Sequence, residues 1–146
     1  MAVTGEQFVG TWKLLEFEVH LPHGEARYPW GKNPVGLLMY DAAGNMCGML
    51  MRADRPAFAQ GDLLRGNPEE VKSAFEGFQA YFGTYEVNDR ERMVIHHVIG
   101  CSFPNWVGTD QIRFFEFSGK NLTLSTPPLS AAGMTVTMRL VWACAV

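Results

Sequence analysis

Residues Thr84–Thr126 read TYEVNDRERMVIHHVIGCSFPNWVGTDQIRFFEFSGKNLTLST, and the stretch is built from short segments in which apolar and polar residues alternate. Thr84–Val87 leads through a turn at Asn88-Asp89-Arg90 into Met93–Gly100, and Val107–Phe117 leads through Ser118-Gly119-Lys120 into Asn121–Thr126. A period of two places successive side chains on opposite faces, which marks β-strands, and turns this short join neighbours into antiparallel hairpins.

The same pattern extends outward in both directions. Gly10–Val19 (GTWKLLEFEV) reads as a first strand, with Trp12, Leu14, Glu16 and Glu18 on one face and Lys13, Leu15, Phe17 and Val19 on the other. Val35–Tyr40 and Met46–Arg52 form a hairpin about the turn Asp41–Asn45, and Met134–Ala143 is the last strand, after a Pro127-Pro128 loop ending at Gly133. Pro22–Pro34 carries three prolines and reads as a long connection. Asn67-Pro68-Glu69-Glu70 is a helix start, with a side-chain cap, a proline at the first position and acidic residues near the positive helix end. Val71, Ala74, Phe75, Phe78 and Phe82 recur at helical spacing, which predicts one helix over Pro68–Tyr81. Arg52–Gly66 breaks every period and is expected to be an irregular lid or rim. About eight strands in hairpin order with one helix in mid-chain predict a mainly β fold, an up-and-down antiparallel barrel, because closure removes exposed strand edges.

At 146 residues, 47% hydrophobic and 18% charged, the chain suits a single domain over 1–146. A net charge of −3 supplies no basic field for nucleic acid. No apolar run approaches the ~20 residues of a membrane span, and no leader-like segment opens the chain, so no membrane partner is expected. Cys47, Cys101 and Cys144 are an odd set without metal-ligand spacing, which argues against disulfides and structural zinc and suits the cytoplasm.

Gly10-Thr11-Trp12, Thr109-Asp110 and Arg139 look like lipocalin features. The combination of Arg27–Gly31 (RYPWG), Met51–Pro56 (MRADRP), Phe103–Gln111 (FPNWVGTDQ) and Arg113–Glu116 (RFFE) resembles the bacterial and fungal lipocalin-like domain family over nearly the whole chain. The resemblance implies a calycin-type barrel, in which an arginine from the barrel's end, here Arg139, packs across Trp12 and closes the floor. It fixes no chemistry, since fold alone does not determine function.

Candidate site residues follow from the strand faces. Arg113 shares a face with Gln111, Phe115 and Phe117; if that face is inward, the guanidinium meets either a ligand oxyanion or a structural partner, Glu16 or Glu18. The opposite alternation, with Asp110, Ile112, Phe114 and Glu116 inward, puts Arg113 outside. His96 and His97 are adjacent, so only one of them faces the interior and the two cannot chelate one metal. His20 and His23, beside a proline loop, read as surface residues. Cys47 alternates with Met49 and Met51 and has no nearby histidine–carboxylate pair to activate it. The soft, aromatic candidates for a cavity wall are Tyr40, Met49, Met51, Phe58, Phe75 and Phe78, with Tyr85, Phe103, Trp106 and Phe115 further along the chain. No metal or cofactor is expected.

Two functional readings share this pocket. In one, a small hydrophobic or aromatic molecule is bound and carried, with Arg113, a histidine at 96 or 97 and Tyr40 as polar anchors. In the other, a cofactor-independent cyclase, isomerase or hydratase acts on a polyketide-like or aromatic metabolite, with His97 or Glu16 as general base and Arg113 or Tyr40 stabilising an enolate. A third reading is an interaction module that forms a homodimer through an edge or patch.

Overall fold

A computed structural model describes residues 2–145. Its strands, in chain order, are β1 (Gly10–His20), β2 (Ala26–Arg27), β3 (Val35–Tyr40), β4 (Asn45–Met51), β5 (Phe78–Asn88), β6 (Met93–Cys101), β7 (Asp110–Ser118), β8 (Asn121–Ser125), β9 (Leu129–Ala131) and β10 (Met134–Cys144). One α-helix, α1 (Pro68–Glu76), separates β4 from β5. All pairings are antiparallel, running β2-β1-β3-β4-β5-β6-β7-β8-β10-β9, and β1 also pairs with β10 from Trp12↔Cys144 to His20↔Thr137. The sheet therefore closes into an eight-stranded barrel, with β2 and β9 as short additions at one rim. No helix among the described residues is long and apolar enough to cross a membrane.

The helix ends earlier than the apolar spacing predicts. Asn67 and Glu70 form a reciprocal cap at its start, but Gly77 terminates it and β5 begins at Phe78. The Gly77 carbonyl accepts from the Arg52 N–H at 2.9 Å, and Phe78–Asn88 pairs along its length with β4 and β6. The sequence FQAYFGTY satisfies either period, and cross-strand pairing decides between them. Gly83 is required inside this strand because a Cβ there would overlap the His97 carbonyl oxygen.

A second departure lies in β1. The β1–β10 register shifts between Leu14 and Glu16, so one extra residue is accommodated opposite β10. Trp12 and Leu14 are buried before the bulge, Phe17 is buried after it, and Glu16 is exposed. Strict alternation would have kept Glu16 and Glu18 on the face of Trp12; the bulge turns them outward.

The closed end holds the short turns between β3 and β4, β5 and β6, and β7 and β8. Its plug is Phe8, fully buried after a 3₁₀ turn at Gly5–Gln7 that Thr4 and Gln7 cap reciprocally. The ring meets Tyr40, Phe115 and Phe117 edge-on, with centroids 5.1–5.3 Å away. Trp12 donates its indole N–H to the Phe8 carbonyl oxygen at 2.9 Å.

Arg139 does not stack on Trp12, contrary to the expectation. Trp12 pairs with Cys144 whereas Arg139 pairs with Glu18, six residues or roughly 20 Å farther along β1. Arg139 faces outward and binds Glu18 and Glu16 at 3.4 and 3.7 Å. The cation over an aromatic ring at this end is Arg92, 4.5 Å from the Phe115 centroid. Replacing Phe8 with alanine should therefore lower unfolding free energy by about 3–5 kcal/mol, a core-aromatic loss. Chemical denaturation should show it; a change under 1 kcal/mol would mean that Phe8 is not the plug.

Candidate functional site

Above the Phe8 plug, the barrel encloses a cavity of about 60 Å³. Its polar groups include Arg113 from β7, His96 from β6, Tyr81 and Gln79 from β5, and Thr126 just past β8, whose Oγ1 accepts from the Met138 N–H at 2.9 Å. Its apolar wall includes Phe17, Leu38, Leu124, Leu140 and Trp142. Nearer the mouth, a second cavity of about 190 Å³ lies among Trp30, Phe75, Phe78, Phe103 and Leu129. Gln79, Trp106 and Met138 line both chambers and form the partition between them.

Alternation along β7 settles the Arg113 question. Arg113 and Phe115 are buried whereas Asp110, Phe114 and Glu116 are exposed. Arg113 is 7% exposed and has no carboxylate partner among the described residues. Glu16 and Glu18, its expected structural partners, lie outside the barrel on Arg139. Arg113 donates instead to the Ile112 carbonyl oxygen at 2.8 Å and to Gln111 Oε1 at 3.4 Å, with its guanidinium 5.7 Å from the Trp106 ring centroid. Neutral acceptors satisfy some of its five donors and leave the charge uncompensated, an arrangement that favours an anionic partner.

The two adjacent histidines divide between inside and outside. His96 is 1% exposed and lies between two phenols, with Tyr40 Oη 2.7 Å from Nε2 and Tyr81 Oη 2.6 Å from Nδ1. Burial, reinforced by the Arg113 charge, holds its pKa well below the ordinary imidazole value, so the ring is neutral at pH 7. Burial raises the pKa values of Tyr40 and Tyr81, with Arg113 opposing the rise at both hydroxyls. His97 points outward, 2.7 Å from Asp110 and 3.2 Å from Glu86, and its pKa is raised chiefly by the hydrogen bond to Asp110.

The other anticipated residues scatter. Trp106 lines the inner chamber, and Phe75, Phe78 and Phe103 line the outer one. Tyr40, Tyr85 and Phe115 belong to the packed core below, where Tyr85 donates to the Asp41 carbonyl oxygen at 2.8 Å. Met49 and Met51 alternate against the inward residues Met46, Gly48 and Leu50 of β4 and face outward with Cys47. Phe58 lies against Gly66 within its own loop.

That loop is not a lid. Arg55 donates to the Ala74 carbonyl oxygen and Ala59 N–H to Glu70, so the loop is tied to α1, and none of its residues lines either chamber. The rim comes instead from Trp30, the end of α1, the turn at Phe103–Trp106 and β9. Tyr81 belongs to the aromatic set that the sequence offers, but as the last residue of the expected helix and not as a polar group of the site; it lies on β5 and lines the inner chamber. The alternation Gln79, Tyr81, Gly83, Tyr85 was the signal available. Nothing in the sequence distinguished Trp142 from ordinary core.

Residues 9–145 match the family model described as a lipocalin-like domain. The chain belongs to the lipocalin-like domain family. A curated relative, the 4'-hydroxy-3'-methoxypropiophenone carrier protein ppsC of Aspergillus oryzae (strain ATCC 42149 / RIB 40), is 36% identical over 104 residues, covering 66% of this chain and 94% of its own length. No solved structure matches the chain. Membership agrees with the closed antiparallel barrel. It does not extend to the Trp12–Arg139 stack, whose place this lipocalin-like protein fills with Phe8 and Arg92.

The histidines should titrate in opposite senses. Below about pH 6.5 the unfolded chain protonates His96 and the folded one does not, so His96 contributes stability above that pH that is lost on acidification. The His97 contribution is fully present below about pH 6.5 and is lost as pH rises through its raised pKa. Imidazole NMR as the pH is lowered from 8 through 6.5 should show the His96 ring still neutral where the His97 ring has become protonated. Protonation of His96 at pH 6 would contradict this assignment.

Proposed function

We propose that this protein binds and carries a small aromatic molecule bearing an oxygen function, without transforming it. The observation that carries this reading is the buried Arg113 guanidinium, with no carboxylate partner, set in an aromatic and aliphatic barrel. A carbonyl, phenol or acid on the ligand would supply the acceptor that the barrel omits, and the apolar walls would cover the ring. The carrier role named for the Aspergillus relative supports the same reading, because an aryl ketone with a ring hydroxyl has this pairing of flat apolar surface and oxygen acceptors.

A chamber of about 60 Å³ is too small for a substituted ring. The ligand therefore occupies both chambers, and Trp106, Gln79 and Met138 yield so that the two become one. Glu16 and His97, the bases that an enolising enzyme would need, are on the outer surface. The remaining interior imidazole is held on both nitrogens by tyrosines.

Titration with single-ring aryl ketones should quench the fluorescence of Trp106 and Trp142 saturably, and the ligand should be recovered unchanged by mass spectrometry. Arg113→Met should weaken binding by tenfold or more, the scale of a charge-assisted hydrogen bond of about 1.5–3 kcal/mol. Absence of saturable binding across aryl ketones, phenols and aromatic acids would overturn the carrier reading, and turnover of the ligand would replace it with an enzymatic one.

A further inference from the structure

The hydrogen-bond bookkeeping around His96 fixes more than its charge. A neutral imidazole has one donor and one acceptor nitrogen, so one of its two tyrosine partners donates and the other accepts. Tyr40 is 2% exposed, enclosed by Phe8 and Tyr85, and His96 is its hydroxyl's partner among the described residues. If Tyr40 accepted from His96, its own O–H would be buried without an acceptor, a cost of about 1–3 kcal/mol. Tyr40 therefore donates to Nε2, the imidazole proton resides on Nδ1, and Nδ1–H donates to the Tyr81 oxygen. The Tyr81 O–H is thereby left to donate, and Tyr81 lines the cavity beside Arg113.

A third donor belongs to the same wall. Trp142 is 3% exposed, and its indole N–H is buried without a hydrogen-bond partner among the described residues. The inner chamber thus presents a guanidinium, a phenol O–H and a cavity-wall indole, with no carboxylate in its lining. The titratable groups facing Arg113 from neighbouring strands are Tyr40, Tyr81 and His96, all neutral at pH 7, with the Cys101 thiol beside Tyr81. Gln79 adds an amide and Thr126 a hydroxyl, each able to donate and to accept, and Phe17, Leu38, Leu124 and Leu140 add no polar group. The site is one positive charge among neutral polar groups, with no carboxylate in the lining to balance it.

We infer that the inner chamber selects the anion of an acidic hydroxyl on an sp² carbon, a phenol or enol, and seats its oxygen between Arg113 and Tyr81. The inference rests on the carrier reading and specifies which end of the ligand enters first. The O–H bond breaks on binding, its electron pair stays on the ligand oxygen, and the proton leaves to bulk water. No other reactant is involved. A neutral hydroxyl would leave the guanidinium charge uncompensated, whereas an oxyanion accepts from Arg113 and the Tyr81 O–H and neutralises the charge within a low-dielectric wall.

Two probes distinguish failure of this inference from failure of the carrier reading: 4'-hydroxyacetophenone, whose phenolate absorbs at longer wavelength than the phenol, and its methyl ether, 4'-methoxyacetophenone. In the complex the phenol should ionise at least one pH unit lower than in free solution, equivalent to anion binding at least tenfold tighter than neutral phenol. Arg113→Lys should keep a downward displacement and Arg113→Gln should abolish it, and the wild-type titration stands without either variant. If the bound phenol ionises where the free one does, or the ether binds as tightly at every pH, the inference falls while the carrier reading stands. If neither probe binds, the inference falls, and the carrier reading falls with it when the other aryl ketones, phenols and aromatic acids also fail to bind.

Discussion

Closure of the sheet through β1 and β10 creates the interior on which everything else depends. An open sheet of these strands would leave two edges of unpaired N–H and C=O groups and would expose its apolar face to water. Once the first and last strands pair, that face becomes a low-dielectric tube that short turns and Phe8 seal at one end. The rim loops leave the other end accessible. The position of every polar group then acquires energetic meaning, because a charge costs little on the outer surface and much inside.

The charges are distributed accordingly. Glu16 and Glu18 form an outer network with Arg139, and His97 sits outside between Asp110 and Glu86. Among the described residues, Arg113 is the charged side chain carried into the barrel. The folded chain leaves its interior cation without a carboxylate although it has fifteen acidic residues available. Uncompensated in this way, the guanidinium costs the fold stability unless another acceptor reaches it. The neutral Tyr40–His96–Tyr81 arrangement beside it is polar and adds no competing charge at neutral pH.

Much of this architecture was legible before any coordinates. The strand starts at Gly10, Val35, Met93, Asn121 and Met134 coincide with the reading of the chain, because hairpin turns announce themselves through Gly, Asn and Asp. The errors share a physical origin, since local periodicity carries no information about insertions or partners. A single bulge beyond Leu14 reverses the sides of Glu16 and Phe17, and no property of the residue types marks it. The segment Phe78–Phe82 supports helix and strand spacing equally, and the neighbouring strands β4 and β6 resolve it. For Arg113 and His96 the sequence narrows the choice to one of two faces, and only the register of β6 against β7 makes it. Trp142 needed the coordinates outright, because an unpartnered indole N–H is a property of its surroundings and not of the chain.

The indole of Trp106 separates the two chambers and lies over the Arg113 guanidinium. The Trp106 carbonyl oxygen accepts from Thr109 Oγ1 at 2.7 Å, Thr109 Oγ1 accepts from Gln111 Nε2 at 3.0 Å, and Gln111 Oε1 accepts from Arg113. The hydrogen bonds start at the Trp106 main-chain carbonyl, so they tie the position of the short turn, and not the rotation of the indole, to the side chains that hold the cation. Partition and charge are thereby anchored to one short turn, so a change in the backbone at Phe103–Trp106 alters the wall between the chambers and the seating of the guanidinium together.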